Sequence, residues 1–207
     1  MYPELQDIAR QIIEAAAGRR RYIVALAGPP GSGKSYRSEL LCDAIAALRP
    51  GDAVVVPMDG YHFDNAVLEP SGELPVKGAP HTFDADGLRV DLERIRRGDR
   101  DVAVPVFDRP LDLARAGGRL ISRDHRIVLV EGNYLLLDEA PWHELHGLFD
   151  LTILLDVDDE VLEQRLFERW LDMGQEPASA LDKARHKDML NARLVKSRSI
   201  SPDLVWR

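Results

Sequence analysis

Residues Gly28-Pro29-Pro30-Gly31-Ser32-Gly33-Lys34-Ser35 fill the pattern G-x-x-x-x-G-K-[ST], set between the apolar run Tyr22 to Ala27 and a helical stretch from Lys34 to about Leu48. Glycines at these positions let a backbone wrap closely around phosphate oxygens. The loop N–H groups and the following helix N-terminus supply donors, and Lys34 adds a full positive charge. Ser35 is left to hold Mg²⁺ through its hydroxyl. The segment predicts binding of a nucleoside triphosphate by all eight residues from Gly28 to Ser35.

A phosphate loop does not separate a kinase from a GTPase or a motor ATPase, so residues on the acceptor side must decide. Asp59 closes the second predicted strand, expected beside the phosphate-loop strand. A carboxylate there could take a proton from a hydroxyl as it attacks the γ-phosphate; the same Asp-Gly dipeptide also reads as a plain turn. Tyr61 and His62 follow at once, either as hydrogen-bonding groups for a polar small molecule or as a packed, internally bonded pair. Glu131 ends the strand Ile127-Val128-Leu129-Val130. It could reach Mg²⁺ directly or through water, or cap the next turn; Asn133, in the same loop, is a weaker candidate for substrate contact. Arg165 and Arg169 lie one helical turn apart, a like-charge pair costing about 0.2–0.5 kcal/mol unless an anion sits between them. The competing reading is a solvated face paired with Glu168 and Asp172. The six histidines show no H-E-x-x-H or other metal-ligand spacing.

These residues need a scaffold. Leu5, Ile8, Ile12 and Ala16 recur at helical spacing, predicting a packed helix over 3–17 ended by Gly18. Strands are expected at Tyr22–Ala27, Ala53–Pro57, Arg126–Val130 and Leu151–Leu155, a short run at Val102–Phe107, and a last short strand near Asp203–Trp206. Helices are expected over 34–48, 86–97, 160–173 and 178–197. Residues 60–87 read as a long acceptor-side loop, and the break at Gly174 to Pro177 suits a mobile lid over about 165–185. Alternating strands and helices imply an α/β domain with a parallel sheet covered on both faces, ligands gathering at the carboxyl ends of the strands.

Composition bounds the rest. A chain of 207 residues with 45% hydrophobic content suits a single domain. The net charge of −8 argues against a nucleic-acid groove or an anionic membrane as main partner. Cys42 is the only cysteine, which excludes an intrachain disulfide. Residues 1–17 lack a basic n-region and a continuous apolar h-region, and no apolar run approaches ~18 residues. The expectation is a soluble cytoplasmic protein.

The phosphate loop together with Asp59-Gly60-Tyr61-His62, Lys77-Gly78-Ala79-Pro80-His81-Thr82-Phe83-Asp84, Val104-Pro105-Val106-Phe107-Asp108-Arg109 and Val130-Glu131-Gly132-Asn133-Tyr134 resembles the uridine kinase, phosphoribulokinase and bacterial pantothenate kinase superfamily. Within it the chain looks similar to small bacterial kinases often labelled fructose-transport-system kinase or fructokinase. The resemblance implies a three-layer P-loop NTPase fold with a small helical lid. It implies Asp59 as general base, Ser35 and Glu131 as Mg²⁺ residues, Lys34 as phosphate clamp and Arg165 and Arg169 as lid residues. Asp84 and Arg109 match family segments near the acceptor pocket. The Asp-Gly-Tyr-His run departs from the Asp-Ser-Phe-Tyr style of uridine kinases.

Together these features predict an ATP- and Mg²⁺-dependent kinase for a hydroxyl of a small metabolite, a sugar such as fructose, with a nucleoside or pantothenate-like acceptor as the alternative and a homodimer compatible with the reading. A regulatory NTPase acting on a protein partner is the competing class; the guanine-specific N-K-x-D motif is absent from the sequence.

Overall fold

Buried strands alternate with helices from Tyr22 onward, and in the computed structural model, which describes residues 3–207, they form three layers. Five parallel strands make the central sheet: β1 (Tyr22–Ala27), β2 (Ala53–Pro57), β5 (Ile127–Gly132), β6 (Leu151–Leu155) and β7 (Leu204–Trp206), in the order β2-β5-β1-β6-β7. The strands read as unbroken apolar runs because both faces of the sheet are covered. Tyr22, Val24 and Leu26 turn to α1 (Pro3–Ala15) and α2 (Lys34–Leu48), packing with Ile8, Ile12, Leu41 and Ile45. Ile23 and Ala25 point the other way, into a core shared with Leu88 and Leu92 of α4 (Ala85–Arg97), Trp142 and Leu145. No helix among the described residues is long and apolar enough to cross a membrane.

The strand order corrects one expectation. β2 does not lie beside β1; β5 is inserted between them, pairing with both. Leu26 and Pro57 are both in register with Glu131. Parallel pairing therefore brings the phosphate loop, the residues after Pro57 and Glu131 out at one end of the sheet.

A second, two-stranded antiparallel sheet joins β3 (Val102–Asp108) to β4 (Leu113–Ile121), with a register shift between Val104 and Val106. The sequence gives no strand signal over 113–121, since Arg115, Gly117, Gly118 and Arg119 interrupt any alternation of apolar and polar residues. The tip of this hairpin carries Arg109. The long loop is partly ordered into the single-turn helix α3 (Asn65–Leu68) and two 3₁₀ turns. Beyond the sheet, α5 (Asp159–Asp172), α6 (Pro177–Lys183), a π-helical turn (Ala184–Asp188) and α7 (Met189–Arg198) pack on their own small core of Leu162, Leu166, Ala184, Met189 and Ala192. The expected helix over 178–197 is thus interrupted by the wider turn.

Gly60 ties the hairpin to the sheet. A Cβ at this position would overlap the backbone carbonyl of Pro105 in β3, which no side-chain adjustment can relieve. Gly60→Ala is expected to lower stability by about 1–3 kcal/mol, the usual cost of overpacking, measured as a fall in the denaturant midpoint. An unchanged midpoint would show that the hairpin is not held through this contact.

Candidate active site

Gly31 and Gly33 hold the phosphate loop in left-handed backbone, φ +80° and +85°, a conformation that side-chain-bearing residues rarely adopt. Gly28 is needed for a different reason: a Cβ there would press on Ser32 Oγ and on Leu155 at the end of β6. No side chain caps the first turn of α2, so its N–H donors stay directed at the loop. The Lys34 ammonium is buried and folds back over the loop, donating to the Pro29 carbonyl at 2.9 Å and to Ser32 Oγ at 3.5 Å. Ser35 Oγ donates to Glu131 Oε1 at 3.1 Å. Burial pushes Lys34 below the usual ammonium range and Glu131 above the usual carboxylate range, each opposed by the other's charge.

Asp59 lies in the 3₁₀ turn Met58–Tyr61 that follows β2. Its Oδ2 accepts from Arg109 Nη2 at 2.7 Å. The carboxylate is therefore fixed from the hairpin, and its second oxygen has no hydrogen-bond donor among the described residues. The Asp59 carbonyl lies 2.8 Å from His62 Nδ1. A carbonyl only accepts, so Nδ1 carries the proton and a neutral His62 presents Nε2 as an acceptor. The ring is wedged between Phe83 and Phe107, with centroids 4.0 and 4.6 Å away.

A cavity of about 900 Å³ spans these groups. Gly31, Gly33, Lys34, Ser35, Asp59, His62, Arg109, Glu131, Asn133 and Arg169 all line it. It also takes in residues that the sequence did not mark as site residues. Lys77 donates to Asn65 Oδ1 at 2.6 Å and to the Asp112 carbonyl at 2.8 Å, and ion-pairs with the Asp112 carboxylate at 3.1 Å. Across from this network, Asp188 accepts from Arg169 at 3.0 Å and from the Trp170 indole at 2.7 Å. Lys187 and Asn191 face the cavity from the same helical segment. Asp112 and Asp188 gave no sequence signal because each is defined by partners distant in the chain.

Of the phosphate loop, Gly28, Pro29 and Ser32 are not among the lining residues, and three expected site residues outside the loop fall elsewhere. Tyr61 is buried with its hydroxyl donating to Asp91 at 2.9 Å, the packed and internally bonded alternative, and does not line the cavity. Asp84 caps α4, accepting from the Gly87 N–H at 2.8 Å, and also lies outside it. Arg165 donates to the Gly31 carbonyl at 3.3 Å and is not among the lining residues. Arg169 turns away from it, to Asp188. Neither arginine pairs with Glu168 or Asp172.

A phosphate loop feeding a helix packed on the sheet, with carboxylates at the ends of two further parallel strands, defines a phosphate-loop nucleotide-binding protein. No family model matches the chain. A provisionally named uridine kinase of Schizosaccharomyces pombe is 32% identical over 99% of this chain and 89% of its own length. The pantothenate kinase of Halalkalibacterium halodurans is 28% identical over 92% of this chain, which spans 64% of that enzyme. The crystal structure of a provisionally named fructose transport system kinase from Silicibacter sp. TM1040 superposes with a TM-score of 0.93 at 40% identity, covering 98% of each chain. The chain belongs to the uridine kinase-like and pantothenate kinase-like superfamily of P-loop kinases, small-molecule kinases with ATP as phosphoryl donor.

Burial holds His62 below its ordinary value near 6.5, and His125 and His146 are shifted the same way. The unfolded chain therefore takes up these protons first as pH falls, and the contribution of these three imidazoles to folded stability declines from about pH 7 downward. His62→Gln is expected to flatten that slope by at most about 1.4 kcal/mol per pH unit, measured by denaturant melts between pH 7.5 and 5. An unchanged slope would place the His62 ring in a more polar setting than described.

Proposed function

We propose that the chain is an ATP- and Mg²⁺-dependent kinase that phosphorylates a hydroxyl of a small metabolite, with a sugar as the favoured acceptor. The observation that carries this reading is Asp59, a carboxylate opening on the same cavity as the phosphate loop and held there by Arg109. Its free oxygen would accept the hydroxyl proton as the acceptor oxygen attacks phosphorus and the ADP oxygen leaves. The bond to Arg109 fixes the orientation of the carboxylate for this step. Lys34 would exchange the Pro29 carbonyl for phosphate oxygens, a small movement for a flexible side chain. Arg169, anchored on Asp188, would bring positive charge from the lid. Arg165, bound to the loop itself, would support Gly31.

The donor set fits Mg²⁺. Glu131 is buried with a single hydrogen-bond donor, the Ser35 hydroxyl, which leaves a desolvated carboxylate short of positive charge beside a second hard oxygen ligand. Ser35 and Glu131 would hold the ion, which when bound neutralises phosphate charge.

His62 Nε2, Asn133 and the Lys77–Asn65–Asp112 network offer donors and acceptors to a polyhydroxylated acceptor, and Phe107 and Phe83 offer it apolar edges. The name of the Silicibacter neighbour supports fructose. A nucleoside or pantothenate-like acceptor is the second reading, favoured by the names of the sequence relatives. On this proposal residues 1–207 act as one kinase domain in the cytoplasm. On the same reading the lid, expected over about 165–185, would run from α5 into the first turn of α7, where the small core ends.

Asp59→Asn preserves shape while removing the proton acceptor. Acceptor-dependent phosphoryl transfer is expected to fall by about 10²–10⁴, with ATP affinity nearly unchanged, measured by coupled ADP release and by nucleotide titration. Equal turnover in the variant would remove Asp59 from the reaction. A regulatory NTPase would instead hydrolyse ATP with no response to any small hydroxyl compound.

A further inference from the structure

Five cationic side chains line the cavity, and four of them already have partners. Lys34 is bonded to the Pro29 carbonyl, Lys77 to Asn65 and Asp112, Arg109 to Asp59 and Arg169 to Asp188. Lys187 has no hydrogen-bond or ion-pair acceptor among the described residues. Its ammonium lies 5.6 Å from the centre of the Trp170 ring, and the side chain is half-buried. A partly desolvated ammonium without an acceptor is unfavourable, and a bound anion would relieve it.

Asn191, one helical turn further on, also lines the cavity and also lacks a side-chain partner among the described residues. The neighbouring carboxylate, Asp188, takes Arg169 and Trp170 on its Oδ2 and makes no ion pair with Lys187. The position of Lys187 indicates which ligand it meets. Beyond burial, the charges that act on it are Asp188, then Lys183 and Arg169, and last Asp112 on the acceptor side of the cavity. Lys34 in the phosphate loop instead feels Arg169, Arg109, Asp59 and Glu131. Lys187 also belongs to a π-helical turn, a local widening that often marks functional positions in helices.

We propose that Lys187 and Asn191 form a subsite for an anionic group on the acceptor, which makes the acceptor a hydroxylated carboxylate or phosphate ester. Lys187 supplies the charge and the Asn191 amide a directional hydrogen bond. The acceptor hydroxyl meets Asp59 while its anionic end reaches the lid. This rests on the kinase reading and narrows it: within a pair of sugars differing by one anionic group, the charged member is the better substrate.

The test compares wild type, Lys187→Met and Lys187→Arg on matched acceptors: glycerol and glycerate, glucose and gluconate, fructose and fructose 6-phosphate. Wild type should favour a charged member by at least about tenfold in kcat/KM, corresponding to one well-made charged contact. Lys187→Met should erase that preference with KM for ATP unchanged, and Lys187→Arg should keep most of it. The carboxylate and phosphate pairs separate the two anion sources. Preference for the neutral member in every pair, or an equal loss on all acceptors with a raised KM for ATP, overturns the proposal; the second result would assign Lys187 to the donor phosphates. If no acceptor stimulates ADP release, the kinase reading fails by itself. Calorimetric titration of gluconate and of inorganic phosphate into protein loaded with a non-hydrolysable ATP analogue, whose γ-phosphate fills the donor site, then decides the subsite: binding lost in Lys187→Met upholds it, and equal heats or none in wild type reject it.

Discussion

Two opposite charges taken out of water at the end of one strand pair set the terms for this molecule. The Lys34 ammonium and the Glu131 carboxylate are both buried where β1 and β5 finish, and desolvation acts against each ionised form. Neither charge would be tolerated alone at that depth. Their mutual attraction, the Pro29 carbonyl and the Ser35 hydroxyl keep the pair acceptable, and the arrangement leaves a strong demand for phosphate on one side and for a cation on the other. The parallel register that sets Leu26 and Pro57 level with Glu131 is therefore a chemical constraint as much as a packing one. A one-residue slip in β5 would turn Glu131 to the opposite face.

Two accessory units work from that fixed point. The β3–β4 hairpin reaches over the end of β2, seated on Gly60, and delivers Arg109 to Asp59. The segment from α5 to the first turn of α7 carries its own small core, while Val195 further along α7 joins the main one, and Asp188 binds Arg169 and Trp170 beside the small core. Proposed proton acceptor, proposed metal residues and proposed lid cation thus come from three separate parts of the chain. The sheet orders the first two directly. The third depends on a smaller, more local core, which suits the proposed lid.

The sequence was most informative where function is written in local backbone. The phosphate loop is legible because its glycines, lysine and serine have fixed separations, and Asp59 and Glu131 because each ends an apolar run. The parallel sheet followed from the alternation of such runs with helices. Strand order did not, since nothing local tells β2 that β5 will be inserted beside it. Asp84 was misplaced although its signal was available: an aspartate just before a helix, with a free N–H three residues on, is an N-cap. Tyr61 could not be resolved the same way, because its partner Asp91 is 30 residues distant. Strand β4 was hidden by its glycines and arginines, and with it went the reason for Arg109. Lys187 was invisible for a related cause: its significance lies in having no partner where four other cations have one.

The account is tested most directly by weighing the product. Wild-type protein incubated with ATP and an acceptor mixture should yield an acceptor heavier by one phosphoryl group, in amounts matching the ADP formed, and omission of the acceptors should reduce ADP release to background. ADP formed at the same rate without acceptors, accompanied only by inorganic phosphate, would contradict the assignment of this cavity to phosphoryl transfer onto a small-molecule hydroxyl.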